Sequence, residues 1–276
     1  MSAEAEAFLL GFHREHPGVT ARAFARGRIG QGGSSYAWLA DEVPSGAGRV
    51  LDLGCGDGHL LEVLRARGLA CEQLAGVDLS PAELEAAQTR PSLAGVTLVC
   101  ERAQALSFAD ASFDCVLSHL ALMLMSPVEE VISELARVIS PGGVLATVVG
   151  GGPRVGTAFE LFLDSFLDVY RAQPRRIPPL GDRRTRTAEG LAELLGAHTG
   201  FTSPAIRDAY VDVSGPLDEI CDALMTIYES AALPPGALAD VRASFAKRAQ
   251  PLASGAGIIP CEMAVRLVTA RRLEPS

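Results

Sequence analysis

An acidic residue followed by alternating glycines forms the stretch of this sequence that most clearly predicts a binding site. Residues 49–58 read Arg-Val-Leu-Asp-Leu-Gly-Cys-Gly-Asp-Gly, and the aspartate is Asp52. Three glycines then alternate along the turn: Gly54, Gly56 and Gly58. The apolar residues before Asp52 predict a strand, and the amphipathic stretch 59–67 predicts a helix. Because glycine permits positive φ and close approach of a ligand to the backbone, this turn is predicted to hold a ligand.

The spacing of the glycines separates the possible ligands. A dinucleotide-binding turn reads Gly-x-Gly-x-x-Gly, and a phosphate-binding P-loop needs a lysine after its last glycine. Neither matches this stretch, in which glycines occur at every second position after Asp52-Leu53. The stretch resembles motif I of the class I S-adenosyl-L-methionine (SAM) dependent methyltransferases, whose ligand has a zwitterionic amino acid tail. The resemblance implies that SAM is the cofactor and that Asp52, Cys55 and the three glycines bind it.

A second acidic residue, Asp78, ends the next predicted strand, Leu74-Ala75-Gly76-Val77-Asp78. An acidic residue at this place in a nucleoside-binding α/β unit accepts hydrogen bonds from the ribose hydroxyls. We therefore predict that Asp78 and its neighbour Leu79 bind the cofactor. Asp78 also lies just before Ser80-Pro81-Ala82-Glu83, which has the form of a helix capping box, and the two roles are compatible.

The third cofactor contact is expected after the third strand, in residues 101–108, Glu-Arg-Ala-Gln-Ala-Leu-Ser-Phe. The segment is similar to one in the same family whose aspartate accepts a hydrogen bond from the adenine amino group. Arg102 occupies the aspartate position here, and a guanidinium cannot accept a hydrogen bond. We expect Ala103 and Gln104 to take over adenine recognition, with Glu101 as the alternative.

The fourth predicted strand ends at Ser118 and His119. Ligands of open α/β sheets bind beyond the carboxyl ends of the strands, so both residues are expected to face the cofactor. The stretch lacks the Asn/Asp-Pro-Pro-Tyr/Phe sequence used to methylate nucleobase or amide nitrogens. A histidine can remove a proton from an acceptor near neutral pH, which makes His119 the candidate catalytic residue. The alternative is that His119 only binds or packs.

Candidate acceptor-binding residues lie in three other segments. The first is Ser34, Ser35 and Tyr36, after a glycine-rich stretch that could fold over the cofactor; Tyr36 is also a candidate cofactor contact. The alternative is a loop and a helix N-cap. The second is an arginine-rich lid with Arg183, Arg184 and Arg186, which could pair with an acceptor carboxylate or phosphate or could simply be solvated. The third is Tyr228, whose alternative role is core packing.

Composition restricts the class of protein. The 276 residues carry a formal charge of -9 and are 48% hydrophobic, which indicates a folded globular protein and disfavours nucleic acid as a partner. The six cysteines include no Cys-x-x-Cys pair and no histidines at metal-ligand spacing, so we expect reduced thiols and no metal site. The N-terminus does not resemble a signal peptide, and no apolar run is long enough to span a membrane. We therefore expect a cytoplasmic protein without a membrane partner.

Strand-like and helix-like segments alternate between residues 49 and 149, which predicts βαβ units and a mostly parallel sheet. The clearest helix is 127–139, preceded by the capping-box sequence Ser126-Pro127-Val128-Glu129. Residues 135–143 resemble the Leu-x-Arg-Val-Leu-x-Pro-Gly-Gly segment of small-molecule methyltransferases. We expect a single α/β domain over 1–276, with a Rossmann-like, doubly wound sheet of seven strands whose last strand is antiparallel by resemblance. Its cofactor-binding core would be 46–150, with a helical cap formed by 1–45, 151–190 and 215–250.

The resemblance implies transfer of a methyl group from SAM. Because the predicted cap is helical and the surface is acidic, we expect a small, largely apolar acceptor that is methylated on oxygen or nitrogen, as in secondary metabolism. Two alternatives remain: a SAM-binding protein that catalyses a rearrangement or cyclisation without methyl transfer, and a protein or RNA methyltransferase. A nicotinamide-dependent oxidoreductase is disfavoured by the glycine spacing. The sequence predicts neither the acceptor nor the oligomeric state.

Overall fold

The computed structural model describes residues 2–274, which form strands and helices in alternation. The strands are β1 (Arg28–Ile29), β2 (Val50–Leu53), β3 (Leu74–Asp78), β4 (Thr97–Cys100), β5 (Phe113–His119), β6 (Ile139–Pro153), β7 (Ala205–Asp212), β8 (Gly215–Pro216), β9 (Ile258–Ile259) and β10 (Glu262–Arg271). The helices are α1 (Ala3–Glu15), α2 (Val19–Phe24), α3 (Ser35–Ala40), α4 (His59–Ala66), α5 (Pro81–Gln88), α6 (Val128–Val138), α7 (Ala158–Tyr170), α8 (Ala188–Leu194), α9 (Leu217–Leu224) and α10 (Pro235–Ala249). Short 3-10 helices include Arg183–Arg186 and Tyr228–Ala232.

The main sheet has the order β1-β7-β10-β6-β5-β2-β3-β4. Strands β4, β3, β2, β5 and β6 are parallel, and β10 is antiparallel to both β6 and β7. The predicted α/β class, the doubly wound sheet and the antiparallel last strand are confirmed. The two-residue strand β1 pairs with the edge of β7 and adds an eighth strand to the predicted seven.

Two strand boundaries differ from the prediction. The predicted alternation of strands and helices ends at residue 149, but β6 continues to Pro153 because Gly150 and Gly152 pair with β10. A single last strand is predicted, but two separate strands, β9 and β10, end the chain, and β9 pairs with β8 in a separate two-stranded sheet.

Apolar residues form three buried clusters. One includes the face of α6 and contains Val131, Ile132 and Leu135. A second, on the other side of the sheet, contains Leu60, Leu61 and Leu64 of α4. The third joins α7, α9 and α10 and contains Phe162, Phe166, Val241 and Phe245. Because burying one such side chain contributes roughly 1.5–3 kcal/mol, the clusters fix the helices against the sheet and against one another.

Helix α1 packs on α5, so that the N-terminal helices cover the carboxyl ends of β2 and β3. Ser2 caps α1, since its Oγ accepts a hydrogen bond from the backbone N–H of Ala5 at 3.1 Å. The side chains of Leu9 and Phe12 are buried. Within residues 2–274, no helix is long and apolar enough to cross a membrane.

Candidate functional site

Three adjoining cavities lie at the carboxyl ends of the parallel strands. The central cavity, of about 140 Å³, is lined by the turn after β2 and by α1. The outer cavity, of about 260 Å³, lies towards β4 and shares Gly54, Asp78 and Leu79 with the central one. The large cavity, of about 1420 Å³, is lined by residues of α2, α7 and α9 and shares Leu120 and Tyr228 with the central cavity. The central cavity therefore joins the other two.

The glycine turn fits closely between neighbouring segments. Gly54 has φ +75° and Gly56 has φ +52°, a region that side-chain-bearing residues rarely adopt. A Cβ atom on Gly54 would overlap the Cβ of Ala121. Gly54 and Gly56 line the central cavity, whereas Gly58 does not; Gly58 is the N-cap of α4 and packs against Leu93. The first two glycines thus shape the cavity, and the third positions the helix.

Asp78 lies between the central and outer cavities. Its Oδ2 accepts a hydrogen bond from the Gly56 N–H and its Oδ1 one from the Ser80 N–H, both at 2.8 Å. Burial raises the pKa of this carboxyl, and the two backbone hydrogen bonds oppose the rise. A carboxylate oxygen accepts more than one hydrogen bond, so both oxygens can also receive hydroxyl donors from a ligand. Leu79, next in the chain, lines both cavities.

Asp52 differs sharply from Asp78. It is 1% exposed, lines the central cavity, and neither carboxylate oxygen has a hydrogen-bond partner within the described part of the chain. Burial raises its pKa well above the usual range, and the negative charges of Asp78 and Asp57 raise it further. An unpartnered buried carboxylate is costly, so this place in the cavity fits a cationic ligand group. Cys55 lines the same wall, and burial raises the pKa of its thiol.

His119 and Tyr36 form the wall opposite α1. Their rings stack with centroids 3.6 Å apart, and both residues line the central cavity. His119 Nε2 shares a hydrogen bond of 2.9 Å with Ser35 Oγ. Burial lowers the pKa of His119 to about 3, so its ring is neutral at physiological pH. Ser118 is buried in the sheet and lines none of the three cavities.

The outer cavity is lined by the segment predicted to recognise adenine. Residues of this segment in its wall are Glu101, Arg102, Ala103 and Gln104. The amide of Gln104 donates to the Ser126 carbonyl at 3.0 Å. Arg102 does not reach into the sheet but pairs with Glu6 of α1 at 2.6 Å. The arginine at the aspartate position thus connects this wall to the N-terminal helix.

The predicted acceptor residues are separated in the structure. Ser34 caps α3, since its Oγ accepts from the Ala37 N–H at 3.3 Å, and neither Ser34 nor Ser35 lines any of the three cavities. Arg184 pairs with three acidic side chains: Asp182, Glu129 and Glu193. Arg183 is exposed and lies outside the three cavities. Arg186 lines the large cavity.

Two residues of the central cavity were missed in the sequence. Glu83 appeared to be the glutamate of a capping box, but its carboxylate turns away from Ser80, whose N–H donates to Asp78 instead. Glu83 pairs with His13 of α1, 70 residues away in the chain. No local pattern connects residues so far apart. Among residues 2–274, no cluster of three His, Cys, Asp or Glu side chains could hold a metal ion.

Comparison with known sequences matches the part of the chain that contains Asp52, Asp78 and His119. A family model described as a methyltransferase domain matches residues 51–147. A malonyl-[acyl-carrier protein] O-methyltransferase from Methylococcus capsulatus is 39% identical over 99 residues, which cover 36% of this chain and 36% of that protein. The chain spans about a third to a half of the length of the curated relatives it matches.

Solved structures share the fold of this chain. Haemonchus contortus phosphoethanolamine N-methyltransferase 2, in complex with SAM, matches with a TM-score of 0.58 and 20% identity over 99% of this chain and 61% of that one. The [4+2]-cyclase SpnF matches with a TM-score of 0.51 and 22% identity over 87% of this chain and 80% of its own. At these identities the likeness shows the fold, and the two proteins differ in named activity.

Proposed function

The chain carries a domain of the class I SAM-dependent methyltransferase family, and from this premise we propose that it transfers the methyl group of SAM to oxygen or nitrogen of a small, largely apolar acceptor. The observation that carries the proposal is the line of three adjoining cavities. Asp78 lies between the outer and the central cavity, and Tyr228 lies between the central and the large cavity. A cofactor and an acceptor can occupy such cavities at the same time and meet at the central one.

The walls match the chemical parts of SAM. Asp78 would accept hydrogen bonds from the ribose hydroxyls, and the unpartnered Asp52 would face the ammonium group of the amino acid tail. Ala103 and Gln104 would hold the adenine in the outer cavity. Bound SAM supplies an electrophilic sulfonium methyl: the acceptor atom bonds to its carbon while the carbon–sulfur bond breaks, leaving the electron pair on sulfur. The contribution of the chain is to align the reactants and exclude water.

The large cavity supports an apolar acceptor. Its wall is mainly aromatic and aliphatic, and includes Phe12, Phe24, Met123, Phe159, Phe166 and Tyr170. Concave sites lined mainly by such side chains, with polar groups at defined places, are typical of small-molecule binding. Arg186 is the one of the three predicted lid arginines found in this wall, and we propose that it meets a polar or anionic group of the acceptor.

We also propose that residues 1–276 form one domain that acts in the cytoplasm. The contacts of α1 with α5 and of Arg102 with Glu6 join the N-terminal segment to the cofactor-binding core. The six cysteines are free thiols, which suits a reducing compartment.

Calorimetric titration with SAM and S-adenosylhomocysteine (SAH) tests the cofactor site. Asp78→Ala removes two hydrogen bonds to a charged group, each worth about 1.5–3 kcal/mol, so we expect at least a 100-fold loss of affinity. Asp240→Ala, at an exposed aspartate of α10, is the matched control and should bind like the wild type. Wild-type protein that binds neither compound would contradict the proposal.

SAH release tests the reaction itself. Wild-type protein with SAM is incubated with a panel of apolar alcohols, phenols and amines, and SAH and methylated product are measured. Stoichiometric release supports methyl transfer. Binding of SAM with conversion of a substrate but without SAH would instead support the rearrangement alternative, and activity only on protein or RNA extracts would support the macromolecular one.

A further inference from the structure

Three hydrogen-bonded side chains from distant parts of the sequence meet at the central cavity. His13 Nδ1 and Glu83 Oε1 are 2.7 Å apart, and His13 Nε2 and the Tyr228 hydroxyl are 3.0 Å apart. The Glu83 side chain is 3% exposed and that of His13 is 17% exposed. All three residues line the central cavity. We call this set the Tyr228–His13–Glu83 relay.

The hydrogen bonds of Glu83 fix the direction of the relay. Its Oε2 accepts from the Gly18 N–H at 2.8 Å, so its Oε1 is the oxygen left for His13. A carboxylate can only accept, which assigns the hydrogen of the His13 ring to Nδ1. Nε2 then carries the free electron pair and accepts the hydrogen bond donated by the Tyr228 hydroxyl. A histidine oriented by a buried carboxylate in this way is arranged to accept a proton at Nε2.

Tyr228 is the member of the relay that an acceptor can reach, because it lies where the central and large cavities meet. Its side chain lines both the central and the large cavity, whereas His13 and Glu83 line only the central one. The ring of Phe12 packs against that of Tyr228 with centroids 4.7 Å apart, and the centroid of the Phe8 ring lies 6.4 Å from that of Tyr228. The aromatic packing keeps the hydroxyl directed at His13 rather than at solvent.

We propose that the Tyr228–His13–Glu83 relay removes the proton from the acceptor during methyl transfer, and hence that the acceptor bears an O–H or N–H group. The inference rests on the proposed function. The acceptor proton passes to the Tyr228 oxygen while the original Tyr228 proton passes to His13 Nε2. The electron pair freed on the acceptor atom forms the bond to the methyl carbon, and His13 later gives its proton to solvent.

The charges around the relay agree with this direction of transfer. Burial raises the pKa of Tyr228, and the negative charges of Asp78, Glu83 and Glu229 raise it further, against the opposing charge of Arg186. Tyr228 therefore remains a neutral hydroxyl that passes a proton on. The carboxylate of Glu83 stabilises the imidazolium that forms on His13. The other histidine of the cavity, His119, is held neutral by burial and is a weak base.

The ionisation of 4-nitrophenol tests the relay without methyl transfer. This apolar phenol absorbs visible light only as the phenolate, so its ionised fraction can be titrated against pH in the presence of excess SAH-loaded protein. We expect the relay to take up the phenol proton and lower the midpoint by about one pH unit. Tyr228→Phe and His13→Gln should return it to that of the free phenol, and Glu83→Gln should reduce the shift because the imidazolium loses its counter-charge.

Matched variants separate proton uptake from other effects. Tyr210→Phe and His198→Gln make the same changes at exposed residues and should keep the wild-type midpoint. Tyr228→Phe removes a single oxygen, and circular dichroism with SAH titration verifies that each variant folds and binds cofactor. An unshifted midpoint in the wild type, or an unchanged shift in Tyr228→Phe, would overturn the relay. Failure of wild-type protein to bind SAH would overturn the proposed function instead.

Discussion

Two parts of the central cavity hold their polar side chains in different ways. The wall is formed by the turn after β2 and the end of β3, and the cover is formed by α1 and the segment around Tyr228. In the wall, the turn after β2 and the end of β3 place the groups, and Asp78 accepts hydrogen bonds from the backbone N–H groups of Ser80 and Gly56, which lie 2 and 22 residues from it in the chain. In the cover, His13 is held by the side chains of Glu83 and Tyr228, which lie 70 and 215 residues from it. The wall is thus held by backbone groups of neighbouring strand ends, and the cover by side chains far apart in the chain.

The difference shows which half of the site has polar groups left for a ligand. The wall keeps Asp52 buried, and its carboxylate has no hydrogen-bond partner among the described residues. The cover satisfies its polar groups with one another, since Glu83 accepts from the Gly18 N–H and pairs with His13. The carboxylate of the wall is therefore the group most in need of a cationic partner.

The largest effect is expected where the wall is tightest. Gly54→Ala places a residue with a side chain at φ +75°, and its Cβ overlaps Ala121. Backbone strain of about 1–3 kcal/mol and overpacking of about 1–3 kcal/mol predict a combined loss of roughly 2–6 kcal/mol in the free energy of unfolding. Urea denaturation of wild type and variant measures this loss in the free energy of unfolding.

The control for Gly54 is another glycine of the same backbone conformation. Gly46 has φ +79° and open space around the position of a Cβ atom, so Gly46→Ala reports strain alone. The second substitution Ala121→Gly should restore part of the stability lost by Gly54→Ala. Equal losses at the two glycines would show that the turn is not closely packed.

The same contrast explains how far the sequence could be interpreted. The positions of the turn, Asp52, Asp78 and the outer-cavity segment beside the cavities were predictable because each lies at a strand end with a fixed local spacing. Glu83 was assigned to a capping box, and only its backbone N–H fulfils that pattern, because its carboxylate is drawn to His13 and Gly18. Tertiary hydrogen bonds outweigh the local capping contact of the Glu83 carboxylate here, and periodicity carries no information about them.

A similar override occurs at α6. The sequence Ser126-Pro127-Val128-Glu129 predicts a capping box with Ser126 as the N-cap, but the N-cap residue is Pro127, whose side chain makes no cap hydrogen bond. Glu129 pairs with Arg184 instead. The apolar face of α6 was predicted correctly, since burial of a periodic face depends less on distant partners.

Asp52→Asn is expected to stabilise the folded protein at neutral pH, by less than Gly54→Ala destabilises it. Because burial raises the folded-state pKa of Asp52, the folded protein binds more protons than the unfolded one, and its stability falls as pH rises from about 4 through that raised pKa. Asparagine does not titrate. We expect the stability of the variant relative to wild type to increase between pH 4 and pH 7, in protein without ligand.

Urea denaturation at the two pH values measures this difference, with Asp240→Asn as the exposed control. SAH should reduce it, since its ammonium group would pair with Asp52 in the wild type but not with the asparagine. A difference that does not change with pH would mean that Asp52 has a partner in solution, and the wall would then resemble the cover.

The smallest effect is expected at the ion pair between Arg102 and Glu6. This pair is the second link between α1 and the core, the first being the contact between His13 and Glu83. Arg102 is 62% exposed, and exposed ion pairs are worth little, so Arg102→Ala should change the free energy of unfolding by no more than about 0.5 kcal/mol. Hydrogen exchange of the α1 amides should be nearly unaffected, whereas it should increase in Glu83→Gln, where a buried charged partner is lost. Because both links join α1 to the core, the pair of variants determines which one closes the cover. A loss above about 1 kcal/mol for Arg102→Ala would assign that role to the surface pair, and the buried glutamate would then serve His13 alone.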